Sequence, residues 1–478
     1  MTYQPVIGLE IHAQLQTRTK MFCNSVNDPD EKRPNVNICP ICLGHPGTLP
    51  TINKKAVEHV LRLGLAVGGQ LADRTEFDRK NYFYPDLPKG YQISQYRLPL
   101  VTGGELAGVA LTRVHLEEDT ARLIHDHKNG GSLIDFNRAG VPLMELVTEP
   151  MIKSAKEAGD FARELQLLLR YLDVSRANME KGELRVEANV SVKRSSISRF
   201  DLKDPSPKVE PLGTTLGIKV EIKNLNSFRV VERAIDYELK RQTELLERGE
   251  KVVQETRGWD EKKGITFSQR EKESAHDYRY FPDPDLPPLR FKEIPEWQNL
   301  AATIPELPWQ KRARYEREFG LRKEALEIIS AERRFYTFFD QVAKQLVKPE
   351  LVGLAANYLL SDLAGLGSVW PAADHFVELI QMIGVNEISS RAAKDILTTG
   401  LKTSPRQAAA KRELLQQSDE TVLRDLVNQA ISKNPKVVAD YQNGKKASLQ
   451  FLVGQGMKLS RGRANPQVLA RLFEEILA

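Results

Sequence analysis

The sequence predicts an α+β fold, with a mixed or antiparallel-sheet domain at residues 1–295, an all-α domain at residues 296–400 and a small helical tail at residues 401–478. Strand-like alternation of apolar and polar residues recurs in the first domain without a regular βαβ repeat. A proline-rich stretch, residues 281–288, ends this domain because proline removes hydrogen-bond donors and fixes φ. Beyond Pro305, charged amphipathic helical patterns dominate.

Two helices are expected to cover one face of the N-terminal sheet. The first begins at Ser154, which forms a capping box with Glu157, and continues to about Leu172. The second follows Ser227 and ends near Gly249. The strands are predicted within residues 6–16, 109–117, 183–192 and 218–223.

Composition is that of a soluble globular protein, with 28% charged and 41% hydrophobic residues. The apolar runs stop short of the ~20 residues that a bilayer requires, and the N-terminus lacks a signal-peptide pattern. Three cysteines in 478 residues cannot form a disulfide framework. We therefore expect a cytoplasmic protein without a membrane partner.

The basic excess of the chain is concentrated in its tail. The net charge is +5, yet residues 401–478 hold 13 Lys and Arg against 7 Asp and Glu, and the rest holds 56 against 57. Helix starts at Asn434-Pro435 and Asn465-Pro466, with a further helix at residues 447–457, indicate a small bundle. The asymmetry is typical of a nucleic-acid contact, and a solvated helical surface explains it equally well.

Several predicted strands have polar faces. Glu10 and His12 share one face of the first strand, because strand side chains alternate. For any single strand, the solvated side of an antiparallel sheet gives the same pattern. The other two polar rows are Glu183, Arg185, Glu187, Asn189 and Ser191, and Lys219, Glu221 and Lys223.

Carboxylates accumulate around the single histidine of the first strand. Glu117, Glu118 and Asp119 follow another strand, and Glu145 lies in an apolar run, where a lone carboxylate is costly without a partner. Oxygen ligands with one imidazole suit Mg²⁺ or Mn²⁺ better than zinc, and Mg²⁺ commonly accompanies phosphates. A structural salt-bridge network is the alternative. The sequence has no P-loop, kinase glycine-rich loop or G-x-S-x-G motif, so any ATP chemistry must use another scaffold.

The cysteines form half of a zinc-knuckle pattern. Cys39-Pro-Ile-Cys42 has the required spacing, and Cys23 is a plausible third ligand. The nearby candidates for a fourth are Ser25 and His45, of which only histidine binds zinc well. Bound zinc and reduced, partly buried thiols both stay open at this point.

A loop at residues 78–95 interleaves cations with aromatics and prolines. Such a loop can stack on a nucleotide and pair with its phosphates, and an ordinary packed loop has the same composition. The residues that could bind a nucleotide are Arg79, Lys80, Tyr82 and Lys89.

In their order along nearly the whole chain, these segments closely resemble the GatB/GatE family, which contains the B subunits of tRNA amidotransferases. Each segment alone could arise by chance, and the ordered set is highly specific. The matching segments are Ile7-Gly-Leu-Glu-Ile-His12, Arg79-Lys-Asn-Tyr-Phe-Tyr-Pro-Asp86, His115-Leu-Glu-Glu-Asp119, Pro142-Leu-Met-Glu145, and residues 39–44, 135–138, 221–227, 276–285, 452–455 and 458–466.

The resemblance implies a glutamine-dependent ligase that uses ATP to phosphorylate the side-chain carboxylate of misacylated Glu-tRNA(Gln) or Asp-tRNA(Asn). Ammonia then gives Gln-tRNA or Asn-tRNA. It would come from an amidase A subunit, and a small C subunit would complete a heterotrimer. The alternatives are a noncatalytic tRNA-binding scaffold, against which the carboxylate cluster argues, and a standalone ATP-dependent carboxylate-amine ligase, against which the basic tail argues.

The resemblance also assigns roles to residues of this chain. The first domain would be the cradle for ATP, Mg²⁺ and the tRNA acceptor end, and the YqeY-like tail would bind tRNA through Lys458, Arg461 and Arg463. Ser25 departs from the cysteine of zinc-binding members, and Gly456 stands where a bulkier residue is common. The implied Mg²⁺ ligands are Glu10, His12, Glu118 and Glu145, with Glu117 and Glu187 at a second cation position.

Overall fold

The computed structural model describes residues 3–126, 130–194, 217–271, 278–367, 370–398, 403–416, 419–460 and 462–477. The chain divides into two compact units, Met1–Leu307 and Pro308–Ala478. The first is built on β-sheets and the second on helices, which confirms the predicted α+β class. The predicted domain limits at residues 295 and 400 stay predictions.

Strands account for most of the regular structure in the first unit. The segments predicted as strands correspond to β1, β8, β12 and β13 of the following set. The strands are β1 (Tyr3–Gln14), β2 (Gln70–Leu71), β3 (Arg74–Thr75), β4 (Asp78–Asn81), β5 (Tyr91–Ser94), β6 (Val101–Thr102), β7 (Glu105–Leu106), β8 (Val109–Glu118), β9 (Arg122–Asp126), β10 (Gly131–Asp135), β11 (Pro142–Thr148), β12 (Leu184–Arg194), β13 (Val220–Leu225), β14 (Glu255–Asp260), β15 (Ile265–Glu271), β16 (Phe281–Pro282) and β17 (Leu289–Arg290).

The main sheet of the described residues has ten strands in the order β15-β14-β13-β12-β1-β11-β8-β6-β2, with β7 beside β8. The pairing of β13 with β14 is parallel, and the other pairs are antiparallel, so the sheet is mixed. Smaller sheets join β16, β4 and β5, β10 and β9, and β17 and β3. The predicted mixed sheet is confirmed.

Helices α1 (Lys54–Ala66), α2 (Ala155–Tyr171) and α3 (Phe228–Glu247) belong to this unit. The Ser154 hydroxyl accepts a hydrogen bond from the Glu157 N–H (3.1 Å), and the Ser227 hydroxyl accepts one from the Val230 N–H (3.2 Å), so both predicted helix starts are confirmed. Helix α3 packs on β12, β13 and β15 and against α2. This packing covers the apolar side of the sheet and leaves its other side to polar residues.

The second unit is helical, with two apolar cores. The first core gathers residues from Tyr315 to Ala409, and the second gathers residues from Leu423 to Phe473. A short π-helical turn, Leu359–Leu363, extends α7. The helices are α4 (Pro308–Phe319), α5 (Lys323–Ala331), α6 (Arg333–Ala343), α7 (Pro349–Tyr358), α8 (Ala373–Gly384), α9 (Ser390–Thr398), α10 (Pro405–Lys411), α11 (Glu420–Lys433), α12 (Pro435–Gln442), α13 (Ala447–Leu459) and α14 (Pro466–Leu477).

The three helices predicted in the tail are confirmed as α12, α13 and α14. Gly456 lies on the buried side of α13, where an added Cβ would come within 3.1 Å of Leu469 Cδ1. A bulkier residue here would require Leu469 to shift, so glycine permits a close approach of α13 and α14 and the helix continues through it. None of the described helices is long and apolar enough to cross a membrane.

Candidate functional site

A polar pocket opens on the side of the main sheet that the helices leave uncovered. Strand alternation brings charged residues of β1, β8, β11 and β13 to this side, and the small sheet of β4 and β5 forms part of the wall. The lining is Glu10, Lys80, Ser94, Gln95, Tyr96, Arg113, His115, Glu117, Glu145, Lys219, Glu221, Lys223, Thr256, Tyr278 and Tyr280.

Two imidazoles flank one carboxylate of this lining, Glu145. Sheet register places His12 opposite Glu145 and Glu145 opposite His115. Glu145 Oε2 lies 3.3 Å from His12 Nε2 and 3.5 Å from His115 Nε2. Glu117 lies beside them, with Oε1 3.6 Å from His12 Nε2 and Oε2 3.8 Å from His115 Nε2.

Burial and mutual charge set the protonation of these groups. Burial alone would raise the pKa of Glu145, but His115 and His12 hold that pKa well below its usual value. Burial alone would lower the pKa of His12, but the hydrogen bond with Glu145 and the charge of that carboxylate raise the pKa of His12 to about 9. Burial, with the nearby charge of Glu145, raises the pKa of Glu10 to about 7. The cluster therefore keeps an ionised carboxylate, Glu145, at its centre.

Two groups of side chains could hold a cation, and Glu145 belongs to both. One group is Glu10, His12 and Glu145, and the other is His115, Glu117 and Glu145; in each, one ligand atom per residue lies within 4.8 Å of the others. Carboxylate oxygens with an imidazole fit the ligand preference of Mg²⁺ or Mn²⁺. The residues present therefore fit a divalent cation.

Glu118, a predicted ligand, lies apart from this cluster. Neighbouring strand residues point to opposite sides of a sheet, so Glu118 faces away when Glu117 faces the pocket. Its Oε1 pairs with Lys89 Nζ (2.6 Å) and accepts a hydrogen bond from the Ile93 N–H (3.0 Å). The structure thus brings together Glu10, His12 and Glu145 and leaves Glu118 with Lys89.

Glu187 is near the pocket but already paired. It lies opposite Glu10 in the pairing of β1 with β12, and its Oε2 is 2.9 Å from Lys223 Nζ. A second cation at Glu187 would have to compete with that ammonium. The placement of Glu117 and His115 offers a second position closer to Glu145.

Of the four predicted nucleotide-binding residues, Lys80 alone lines the pocket. The Nζ of Lys80 lies 4.8 Å from the centre of the Tyr278 ring. Burial alone would lower the pKa of Lys80, but the negative charge of Glu117 and other nearby groups outweighs that effect and raises the pKa. Arg79 instead binds Asp283 Oδ2 (2.9 Å) and Asp285 Oδ2 (2.8 Å), which fastens residues 281–288 to β4.

The other two nucleotide candidates have structural neighbours. Tyr82 packs edge-on against Tyr278, with 6.0 Å between ring centres, and Lys89 pairs with Glu118 on the other side of β8. Tyr82 therefore supports the pocket wall through Tyr278, and Lys89 does not reach the pocket lining.

Four basic residues of the pocket were missing from the predicted site. Arg113 and His115 precede Glu117 on β8 at two-residue spacing, so strand alternation could have found them. Lys219 and Lys223 belong to a polar row visible in the sequence but not connected to the carboxylates. Together with Lys80, the side chains of Arg113, Lys219 and Lys223 place positive charge around the carboxylates.

The three cysteines meet on the opposite side of β8, where Cys23 and Cys42 line a separate pocket with Glu118 and Lys89. Their sulfurs lie within 4.8 Å of one another. Ser25 Oγ is 3.9 Å from Cys42 Sγ, and the buried Lys20 Nζ is 3.7 Å from it. A closed structural zinc site requires four nitrogen or sulfur ligands. His45, the other predicted fourth ligand, lines the same pocket, but it does not belong to the group of described side chains whose ligand atoms lie within 4.8 Å of one another. Ser25 offers only a hydroxyl, and an ammonium lies beside the Cys42 sulfur, so the three thiols as placed do not form a closed zinc site.

The tail residues predicted to bind tRNA lie at the end of α13 and just after it. Lys458 is exposed, whereas Arg463 Nη1 lies 3.6 Å from Glu413 Oε2. Arg461 lies outside the described residues, as do residues 276–277 of the matching segment that ends at Asp285.

Comparison with known proteins covers both units. A family model described as the GatB/GatE catalytic domain matches residues 5–295, and one described as a GatB domain matches residues 337–477. Relatives named as the B subunit of aspartyl/glutamyl-tRNA(Asn/Gln) amidotransferase are similar over the full chain. That of Thermodesulfovibrio yellowstonii is 44% identical over 100% of both chains, and that of Caldanaerobacter subterraneus subsp. tengcongensis is 43% identical over 100% of both. That of Thermomicrobium roseum is 44% identical over 100% of this chain and 99% of its own.

Proposed function

The chain belongs to the GatB/GatE family, and from that membership we propose that it is the B subunit of a glutamine-dependent tRNA amidotransferase. The reaction would be ATP-dependent phosphorylation of the side-chain carboxylate of Glu-tRNA(Gln), Asp-tRNA(Asn) or both, followed by amidation. An amidase A subunit would supply ammonia, and a small C subunit would complete the complex. The chain would thus be the carbon-nitrogen ligase component.

Within the structure, the polar pocket is the observation that best supports this proposal. It contains a cluster of carboxylates and imidazoles that can bind a cation. Around this cluster lie basic side chains that can bind phosphates, namely Lys80, Arg113, Lys219 and Lys223. Phosphoryl transfer depends on positioning and on positive charge around the transferred group. A pure tRNA scaffold would have no need for buried carboxylates at this position, because burying charge costs several kcal/mol per ion.

Glu10, His12 and Glu145 would hold Mg²⁺, with Glu117 and His115 beside it. When bound, the ion supplies positive charge that stabilises the transferred phosphoryl group. Arg113 Nη2 lies 3.4 Å from Glu145 Oε1 and orients that carboxylate. Ser94 donates a hydrogen bond to Glu117 Oε2 (3.0 Å), which holds the second carboxylate in place.

The cations of the pocket would bind the phosphates directly. The Lys80 ammonium contacts the Tyr278 ring, and this contact holds it in a position that faces the carboxylates. Little conformational entropy is then lost when it binds a phosphate. Lys223 is oriented by Glu187 at 2.9 Å. Tyr96 and Tyr280 are stacked, with 4.4 Å between ring centres, and form an apolar edge that can exclude water or hold a base.

The test is reconstitution of the complex. The purified chain would be combined with its partner subunits, glutamine, ATP and each mischarged tRNA, and the amino acid recovered from the tRNA would be identified. Gln or Asn that appears only with ATP and with this chain supports the proposal. ATP hydrolysis without charged tRNA, together with amidation of a free metabolite, would indicate the standalone ligase instead.

A further inference from the structure

Cys42 Sγ has two donors beside it in the thiol cluster, and it also lies 3.4 Å from the Cys39 carbonyl oxygen, to which its protonated form can donate. The Cys39 N–H donates to Cys42 Sγ at 3.1 Å, and the Lys20 ammonium lies 3.7 Å from the same sulfur. Lys20 is fully buried, and its second contact is the Phe136 carbonyl oxygen at 3.1 Å, so its ammonium is fixed beside the sulfur. Donors of this kind stabilise a sulfur that carries negative charge.

Cys39 is placed to react with that sulfur. Its Sγ lies 3.8 Å from Cys42 Sγ, and it is partly exposed while Cys42 is buried. The two residues lie in one turn, closed by a hydrogen bond from the Leu43 N–H to the Cys39 carbonyl (3.1 Å). A disulfide requires an S–S separation of about 2.05 Å, which rotation of the two side chains can provide within such a turn.

We infer that Cys39 and Cys42 form a reversible dithiol-disulfide pair that reacts with hydrogen peroxide. The Cys42 thiolate attacks one peroxide oxygen, the O–O bond breaks, and hydroxide leaves and is protonated to water. The sulfenic acid formed on Cys42 is then attacked by the Cys39 thiol, which forms the S–S bond and releases a second water. The pair loses two electrons and two protons, and the peroxide is reduced to two waters. A small dithiol reduces the disulfide back to the two thiols by exchange and is itself oxidised to a disulfide.

The features that disfavour zinc favour this chemistry. Among the described residues, the three thiols have no fourth nitrogen or sulfur ligand in their group, and the Lys20 ammonium occupies the side of Cys42 where a second positive charge would be repelled. Cys23 comes from a separate segment and is buried, so it is the less direct partner for Cys42.

Peptide mapping of the full chain distinguishes the pairs. Trypsin places Cys39 and Cys42 on one peptide, residues 33–54, and Cys23 on another, residues 21–32. After treatment with hydrogen peroxide and alkylation, peptide 33–54 should lack two hydrogens and carry no alkyl group, and dithiothreitol should restore both thiols. Peptide 21–32 should stay alkylated at Cys23. A crosslink between the two peptides would overturn the assigned pair, as would stoichiometric zinc that protects all three thiols from peroxide.

Two variants test the assigned roles. In Cys39→Ser, the second step is blocked, so dimedone should label Cys42 as a sulfenic acid. Lys20→Met removes the ammonium and should slow disulfide formation about tenfold, whereas Lys32→Met, an exposed control, should change the rate less than about twofold. If dimedone labels Cys23 instead of Cys42 in Cys39→Ser, the inference is wrong even if Lys20→Met fails to fold.

Discussion

Charged side chains occur in opposite settings in the central sheet and in the helical tail. Glu117 and Glu145 are 3% and 6% exposed, and each has oxygens within 3.3–3.8 Å of two imidazole nitrogens. Lys458 of the tail is exposed on α13. Burying an ion costs several kcal/mol, whereas an exposed lysine costs almost nothing. A buried cluster is therefore evidence of a site by itself, and an exposed basic cluster becomes one only when a partner is found.

The largest effect should come from Glu145→Gln, at the centre of the buried cluster. The substitution removes the carboxylate that both candidate cation-binding groups share, so tRNA-dependent ATP hydrolysis should fall more than about a hundredfold. Glutaminase activity of the partner should stay measurable, because no ammonia-generating group is changed. Glu149→Gln is the matched control, since Glu149 is exposed and bonds only to the Thr112 hydroxyl at 2.7 Å in its described side-chain contacts. Normal transamidation in Glu145→Gln would remove that residue from the site.

Next in size is the contrast between two adjacent residues of β8. Glu117→Gln should reduce ATP turnover about 10- to 100-fold, because it faces the pocket. Glu118→Gln should change turnover less than about threefold but lower the free energy of unfolding by about 2–4 kcal/mol, because it leaves Lys89 without its 2.6 Å partner. Steady-state kinetics and urea denaturation measure the two quantities. A larger loss of turnover in Glu118→Gln would restore the role that the sequence predicted for it.

A smaller effect is expected from Lys80→Met, with Lys89→Met as its matched control. Lys80 lines the polar pocket, so its loss should raise the KM for ATP about tenfold. That change corresponds to the binding free energy of one charge-assisted hydrogen bond. Lys89 lies on the other side of β8, so Lys89→Met should leave that KM within about twofold and reduce stability instead. Equal KM changes in the two variants would contradict the separation of the two sides of the sheet.

The sequence predicted the parts of this site that depend on strand alternation alone. Glu10 and His12 were assigned to one face correctly, because an isolated strand determines which of its residues share a side. Which of Glu117 and Glu118 faces the pocket depends on register with β11, and the acidic run does not reveal that register. The pairing of Arg79 with Asp283 joins residues far apart in the chain, so local patterns could not predict it.

The fold was predictable to a similar extent. Helix starts at Ser154 and Ser227 follow from local capping, and both are confirmed. The order of the strands does not follow from local patterns, because β1 pairs with the distant β11 and β12, and β13 pairs in parallel with β14. Long-range packing, which no single segment encodes, decides these neighbours.

The smallest effect on chemistry should come from the tail, where charge is exposed. If Lys458, Arg461 and Arg463 contact tRNA phosphates, the triple alanine variant should bind tRNA more weakly and flatten the dependence of log K on log salt by about 0.7 to 0.9 per lost contact. ATP turnover at saturating tRNA should be almost unchanged. Because Arg463 lies 3.6 Å from Glu413, part of its charge is already compensated, and Lys458→Ala alone should give a larger share of the change than Arg463→Ala. Binding titrations at several salt concentrations measure the slope, and circular dichroism shows whether the tail remains folded. If the folded triple variant binds tRNA with unchanged affinity and salt slope, these residues are ordinary surface cations, and the tRNA contact is then expected within residues 296–400.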